Sequence, residues 1–413
     1  MVTRRDFVAT GVGALVSAAL PTGPLASDKG FPIAEIERRI ARRDFKGMTK
    51  EMLPTPCMVV DIDLFEKNLR TMADHAKKVS IALRPHVKVH KSVDVAKRQI
   101  ALGAIGLTTA TIAESELMSN SGIEGVLWTK QPASYNNLSR AIALTRKDPT
   151  FMFVVDDSRV VDLVQEAAAA ARVKARVAVA VFAGLKRQGI ANGQPAVDLA
   201  KKIITSKNIS LEGFMAYSGT ASHTRTFAAR RRQSELDLSG VHETIALAKK
   251  SGLPIGIVSG GSTGTYNMDK DLGLTELECG SYVFMDSIYK AIGGQSNDEI
   301  YTDFESAMSV LVTVDNRHHR GQVSTDYGNK ALARPTDIVK GQPWLRVSTE
   351  GAEYGIISWT DNPGEELRVG DRLEIFCSNL DMSTNCYDRY YIAKGNEIVD
   401  VWPIMGRGGA AQR

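Results

Sequence analysis

The sequence predicts an α/β protein: a (β/α)8 TIM-like barrel with a second, mostly antiparallel β domain at the C-terminus. Three observations carry that expectation. From about residue 56 to 300, apolar strand-like runs alternate with helical patterns of about ten to fifteen residues, the mark of parallel βαβ units. The runs number about eight or nine, which fits a closed barrel better than an open doubly wound sheet. After about residue 300 the texture changes to short alternating strands separated by Gly, Asn and Pro turns. At 413 residues the chain is also longer than one core usually serves.

Taken in order, residues 1–27 read as an export signal. Thr3-Arg4-Arg5-Asp6-Phe7-Val8 carries paired arginines, a mildly apolar run follows from Val8 to Leu20, and small residues stand at Leu25-Ala26-Ser27. Paired arginines with Phe two positions on fit the twin-arginine route, which moves folded proteins and implies a periplasmic location. About thirteen apolar-leaning residues are too few to span a bilayer, so no stable membrane span is expected. Residues 28–54, rich in charge, read as a helical N-terminal arm that clasps a partner subunit.

The barrel is assigned to residues 55–300. Its strand-like runs are Cys57–Val60, Ile81–Val89, Gly106–Thr109, Val126–Trp128, Phe151–Val155, Val177–Phe182, Leu211–Tyr217, Ile255–Val258 and Tyr282–Phe284. Helical patterns lie between them at Leu64–Lys78, Ile112–Ser119, Val160–Ala171 and Ala196–Ser206. The C-terminal β domain, residues 301–413, shows runs at Val310–Val312, Arg372–Phe376, Arg389–Ala393 and Ile398–Trp402.

Composition narrows the function. A net charge of +4 is close to neutral for this length and argues against nucleic acid or an anionic membrane as partner. The cysteines, at 57, 279, 377 and 386, show no CxxC and no metal spacing. A protein that folds in a reducing compartment is expected to leave all four as thiols.

Arg84, His86, Lys88 and His90 alternate with Leu83, Pro85, Val87 and Val89. On a strand the first four would share one face, and the crowded lysine would hold its proton less tightly. A neutral amine forms a Schiff base with a carbonyl, most usefully that of pyridoxal phosphate. The alternation by itself also fits a basic strand on a solvated surface. Ser259-Gly260-Gly261-Ser262-Thr263-Gly264-Thr265 follows an apolar strand, and late barrel strands commonly carry such a phosphate loop. Arg187 ends another strand where loops gather over the barrel mouth, and Tyr217 ends a third with His223 shortly after.

Together these segments resemble the D-threonine aldolase and D-serine dehydratase group, pyridoxal phosphate enzymes with the alanine racemase type of fold. The motifs are Arg84-Pro85-His86-Val87-Lys88-Val89-His90-Lys91, Ala216-Tyr217-Ser218-Gly219, the Ser259–Thr265 loop and Gly280-Ser281-Tyr282-Val283-Phe284-Met285-Asp286. The opening Thr55–Asp61 and closing Val399–Pro403 match as well, so the resemblance spans nearly all of the chain after residue 54. It implies that Lys88 forms the Schiff base, that Arg187 lies near the cofactor's phenolic oxygen and that Tyr217 lies beside its ring. His223 closes that same motif. Gly261, Ser262, Thr263, Gly264, Gly280, Ser281 and Tyr282 are implied as phosphate and cofactor contacts. A homodimer whose small domains complete each other's sites is implied too.

The implied activity is a lyase on a D-β-hydroxy amino acid, by retro-aldol cleavage or elimination, with His86, His223 and Tyr354 as candidate proton acceptors beside Lys88. The chain departs from the pattern in two places. Metal-dependent members carry a histidine and, two residues on, an aspartate or cysteine; here Asn379 and Asp381 stand there. The family's Glu-His-Gly is Glu353-Tyr354-Gly355. Loss of an imidazole selects against zinc, though two oxygen donors could still hold Mg²⁺ or Mn²⁺. A metal-independent racemase and a non-catalytic pyridoxal phosphate-binding protein stay open as alternatives.

Overall fold

A computed structural model describes residues 33–331, 338–360 and 367–408. The export-signal stretch, residues 1–27, lies outside them. The chain opens with α1 (Ile33–Arg42), β1 (Cys57–Asp61) and α2 (Ile62–Val79). It continues through β2 (Ala82–Leu83), α3 (Val93–Ala101), β3 (Thr108–Thr109), α4 (Ile112–Asn120), β4 (Leu127–Trp128) and α5 (Tyr135–Lys147). Next come β5 (Met152–Val155), α6 (Ser158–Ala171), β6 (Ala175–Ala180), α7 (Gln194–Thr205), β7 (Ile209–Ala216), α8 (Phe227–Lys250), β8 (Ile257–Gly260) and β9 (Glu276–Leu277). After α9 (Ser287–Lys290) follow β10 (Met308–Asn316), β11 (Gln322–Thr325), β12 (Arg346–Glu350), β13 (Tyr354–Ser358) and β14 (Arg372–Phe376). The last elements are α10 (Leu380–Ser383), β15 (Arg389–Lys394) and β16 (Glu397–Pro403).

Strands β2 to β9 form one parallel sheet in the order β2-β9-β8-β7-β6-β5-β4-β3. A parallel bridge between His86 and Thr108, with Thr108 N–H donating to Pro85 O at 2.9 Å, joins its two edges and closes the barrel. The predicted barrel is therefore present. Its helices form where the sequence supplies caps: the Asp61 carboxylate accepts from the N–H groups of Asp63 and Leu64, and α2 then buries Phe65, Leu69, Met72 and Ala76 along one face.

The second sheet runs β12-β13-β11-β10-β1-β15-β16 with β14 on β10, antiparallel throughout except for the β1–β15 pair. This corrects the reading of Cys57–Val60 as the first barrel strand. Four of the five β1 residues are buried, so its apolar run suits the middle of either sheet, and only distant pairing partners decide between them. Tyr282–Phe284, read as a strand, is instead mostly a 3₁₀ turn over Ser281–Val283.

The N-terminal arm begins with α1 and packs on its own chain. Ile36, Met48 and Leu53 pack onto Cys57, Val59, Leu311, Tyr391 and Ile398, so the arm covers a face of its own chain's second sheet. The four cysteines are free thiols. Barrel and second domain share one continuous core, in which the Phe65 ring meets Phe284 at 5.8 Å and Trp402 at 5.3 Å. That shared packing sets the second domain against the C-terminal mouth of the barrel.

Candidate active site

The loops following β2, β6, β7, β8 and β9 converge at the barrel mouth, and the segment between β14 and α10 closes over them from the second domain. Two adjoining cavities of about 110 and 350 Å³ share His86, Lys88, Tyr217 and Glu278 as lining. His223, Ser262, Thr263, Gly280, Ser281, Asn379 and Asp381 line the smaller, and Arg187 lines the larger.

Lys88 does not stand on a strand. The ladder against β9 continues past β2 through the N–H groups of Arg84 and His86, which donate to Leu277 O and Cys279 O at 2.9 and 3.1 Å. The chain then coils into a 3₁₀ turn over Val87–Val89, so period two ends at His86. Arg84 is consumed in a buried bidentate pair with Glu276, at 2.8 and 3.0 Å. His90 is buried at the seam, its carbonyl accepting from Tyr390 Oη at 2.7 Å.

The expected loosening of the Lys88 proton is corrected as well. Burial pulls its pKa down, but Asp381, with Oδ2 3.2 Å from Nζ, and Tyr217 outweigh it and hold the amine protonated. The imidazoles repel it little, because burial keeps them neutral: His86 is pushed well below its ordinary value and His90 down to about 3. The His86 Nδ1 accepts the Lys88 N–H at 3.3 Å and steadies the turn.

Tyr217 Oη lies 3.1 Å from Ser222 Oγ, and the Arg187 guanidinium sits 5.5 Å from the Tyr217 ring centroid. His223 packs on the Tyr289 ring at 4.4 Å, and burial lowers its pKa, leaving a neutral acceptor at the cavity wall. At the opposite end, Thr263 Oγ1 accepts from the Tyr282 N–H at 3.0 Å, tying the two hydroxyl-bearing loops together. Gly261 has φ 79°, and a Cβ there would strike Asp269; at Gly264 it would strike Ser222 O. These glycines shape the loop and are not among the residues lining either cavity. At Gly280 a Cβ would meet Val89 Cγ2 at 2.8 Å, so glycine lets this loop lie against the Lys88 turn.

Besides Gly261 and Gly264, two predicted residues are not brought to the cavity. The Tyr282 side chain points into the core, where Gln99 Nε2 donates to its hydroxyl at 3.0 Å; only its backbone reaches the loop. Tyr354 is 54% exposed on β13, whose alternation turns Gly355 and Ile357 inward and Tyr354 outward.

Sequence reasoning missed four residues. Glu278, buried at the end of β9, accepts from Ser259 Oγ at 2.7 Å, and burial pushes its carboxyl up to about 7. Its signal was the Glu276/Glu278 alternation at a barrel strand's C-terminal end. Asp286 caps α9 and lines the smaller cavity. Lys91 is buried and donates to Lys88 O, to Asp381 O at 2.8 Å and to Thr384 Oγ1 at 3.0 Å, fastening α10 to the Lys88 turn. Arg230 on α8 is fully buried, with no carboxylate partner among the described residues. Its five contacts are backbone carbonyls: Gly264 at 2.6 Å, Thr224 at 3.0 Å, Thr226 at 3.4 Å, Ile292 at 3.1 Å and Gly293 at 2.8 Å.

The Glu278 shift gives a stability test. An unfolded glutamate ionises near its ordinary value while the buried one stays protonated, so its contribution is full at low pH and lost as pH rises through about 7. Glu278→Gln keeps the acceptor for Ser259. In the cofactor-free protein it should reduce the fall in Tm between about pH 5 and pH 8, read by scanning calorimetry.

The site residues fit pyridoxal phosphate. Lys88 lines both cavities and its amine would hold the aldehyde carbon, the hydroxyl-bearing Ser262, Thr263 and Ser281 in the smaller would hold the phosphate, and Tyr217 and His86 would supply flat walls for the ring. A divalent metal does not fit. Asn379 Oδ1 already accepts the Met382 N–H at 3.0 Å as cap of α10, Asp381 is paired with Lys88, and no cluster of three His, Cys, Asp or Glu suited to a metal exists among the described residues.

Comparison with known proteins agrees with this geometry. Residues 60–288 match the alanine racemase N-terminal domain, and residues 307–393 a putative serine dehydratase domain. The chain is 29% identical to the 3-hydroxy-D-aspartate aldolase of Paracoccus denitrificans over 88% of its own length and 94% of the relative's. It is 28% identical to the D-threonine aldolase of an Arthrobacter species, over 86% and 93%. The solved D-threonine aldolase from Filomicrobium marinum superposes with a TM-score of 0.79 at 30% identity, covering 86% of this chain and 95% of that one. With more than half of its residues inside the first match, the chain belongs to the family that carries the alanine racemase N-terminal domain.

Proposed function

We propose that this protein is a pyridoxal phosphate-dependent lyase acting on a D-β-hydroxy amino acid. The observation that carries the reading is Lys88 Nζ at the junction of the two cavities, opposite the Ser262–Thr263 loop, on a chain alike in length and fold to aldolases of such substrates. When bound, the cofactor supplies an electron sink for the α-carbon of an amino acid.

The chain's own groups do the rest. Lys88 offers the amine, and the Asp381 carboxylate 3.2 Å away is placed to take the proton from Nζ. His86, held neutral by burial, and His223, whose pKa is lowered by desolvation at the cavity wall and by Lys88, are acceptors for a proton from a hydroxyl. Lys91 keeps the Lys88 turn and α10 in fixed relation, which holds Asp381 within reach. The second domain closes over the barrel mouth and brings Asp381 to the Lys88 amine.

A panel of D- and L-β-hydroxy amino acids, with detection of aldehyde, glycine, keto acid and ammonia, tests this. Aldehyde with glycine, or keto acid with ammonia, from a D-substrate is the expected result. Inversion without cleavage would favour a racemase, and no reaction with any amino acid a binding protein; either would overturn the reading.

We further propose export by the twin-arginine route to the periplasm, on the strength of Arg4-Arg5, Phe7 and the apolar run after them, and assembly as a homodimer. Cell fractionation and sedimentation velocity test these two points.

A further inference from the structure

We infer that this site operates without a bound divalent metal, Asp381 serving as the counter-ion of Lys88 rather than as a metal ligand. Asp381 and Asn379 are the oxygen donors at the place where the resembling family keeps its metal ligands. Asn379 brings a neutral amide whose oxygen is spent on the Met382 N–H. The Asp381 carboxylate faces one ammonium directly, Lys88 Nζ at 3.2 Å, while its backbone carbonyl accepts from a second, Lys91 Nζ, at 2.8 Å.

A dication at Asp381 would lie beside these two positive charges, and at such spacing like charges repel strongly. The remaining polar groups do not repair the set. Asp286 Oδ1 accepts the Tyr289 N–H at 2.8 Å and Glu278 Oε1 accepts from Ser259 at 2.7 Å, and neither of them nor His223 joins Asp381 in a group of three that could hold a metal among the described residues. Mg²⁺ and Mn²⁺ would have to bind almost wholly through water, and for Zn²⁺ the His86 and His223 nitrogens of this cavity do not gather with Asp381 into a group of three ligands among the described residues. Of the chain's two departures from the family's pattern, asparagine at 379 is the one that lines this cavity.

The test uses the cofactor-loaded full chain, stripped of metal by EDTA and dialysis, with Mn²⁺ binding followed by the loss of its free-ion EPR signal. No turnover enters this readout, so it fails or succeeds separately from the lyase reading. The wild-type protein should leave Mn²⁺ free up to about 1 mM. Asn379→His, which supplies an imidazole and a donor free of the cap, should bind Mn²⁺ at least about tenfold more tightly. One Mn²⁺ bound per wild-type chain below about 0.1 mM would overturn the inference. An N379H protein that gains no affinity would overturn the assignment of the loss to residue 379.

Discussion

Replacing Lys88 by alanine should lower turnover by about three orders of magnitude or more while leaving the fold intact, because the chain loses its nucleophilic amine. The cost to stability should stay within about 1 kcal/mol: the Lys88–Asp381 pair is roughly one-third exposed on both sides and screened by solvent. Lys88→Arg separates charge from chemistry. It restores a cation opposite Asp381 yet offers no amine that can be freed at neutral pH, so stability should return and activity should not. Steady-state kinetics with urea unfolding on the three proteins reads both effects. Recovery of activity in K88R would mean that Lys88 acts only as a charge.

Arg230→Met should have the opposite profile. It removes a side-chain donor from five carbonyls on three segments: residues 224–226 beside His223, Gly264 of the hydroxyl-bearing loop, and the turn at 292–293. Thr226 O keeps the Arg230 N–H and Ile292 O the Thr226 N–H, but the Thr224, Gly264 and Gly293 carbonyls lose the donor Arg230 gives them. Carbonyls left so cost about 1–3 kcal/mol each before relaxation, and a loss of about 3 kcal/mol or more is expected. The same loops hold Ser262, Thr263 and His223, so pyridoxal phosphate affinity should fall at least about tenfold, measured by equilibrium dialysis. Arg230→Lys, with three donors instead of five, should recover part of the stability and less of the affinity. A destabilised R230M protein with unchanged affinity would confine Arg230 to the fold alone.

Arg230 also shows the limit of reading this chain from its residues. Nothing in the sequence around α8 marks it off from Arg231 or Arg232, because its function lies in carbonyls supplied by distant turns. What was legible was local: the strand–helix alternation of the barrel, the end strands β15 and β16, and a glycine-rich, hydroxyl-bearing loop after β8. Strand boundaries slipped by a residue or two, as at Val177–Phe182 against the observed Ala175–Ala180. What was hidden depended on distant pairing. β1 is apolar enough for either sheet, and Tyr354 could be placed only once the β12–β13 register was known.

The basic cluster shows the same thing at the centre of the site. Counting its positive charges predicts an easily deprotonated Lys88, yet Arg84 is neutralised by Glu276 and Asp381 arrives from almost three hundred residues away. Proton affinity alone would choose Lys91, whose amine burial lowers, as the nucleophile. Geometry excludes it: its donors are occupied by Lys88 O, Asp381 O and Thr384 Oγ1, and it lines neither cavity.

Those two lysines, three residues apart, make the decisive measurement a direct one. Borohydride reduction of the protein loaded with pyridoxal phosphate, followed by peptide mapping, should place a single pyridoxyl group on Lys88. A label on Lys91, on another lysine or on none would contradict the account.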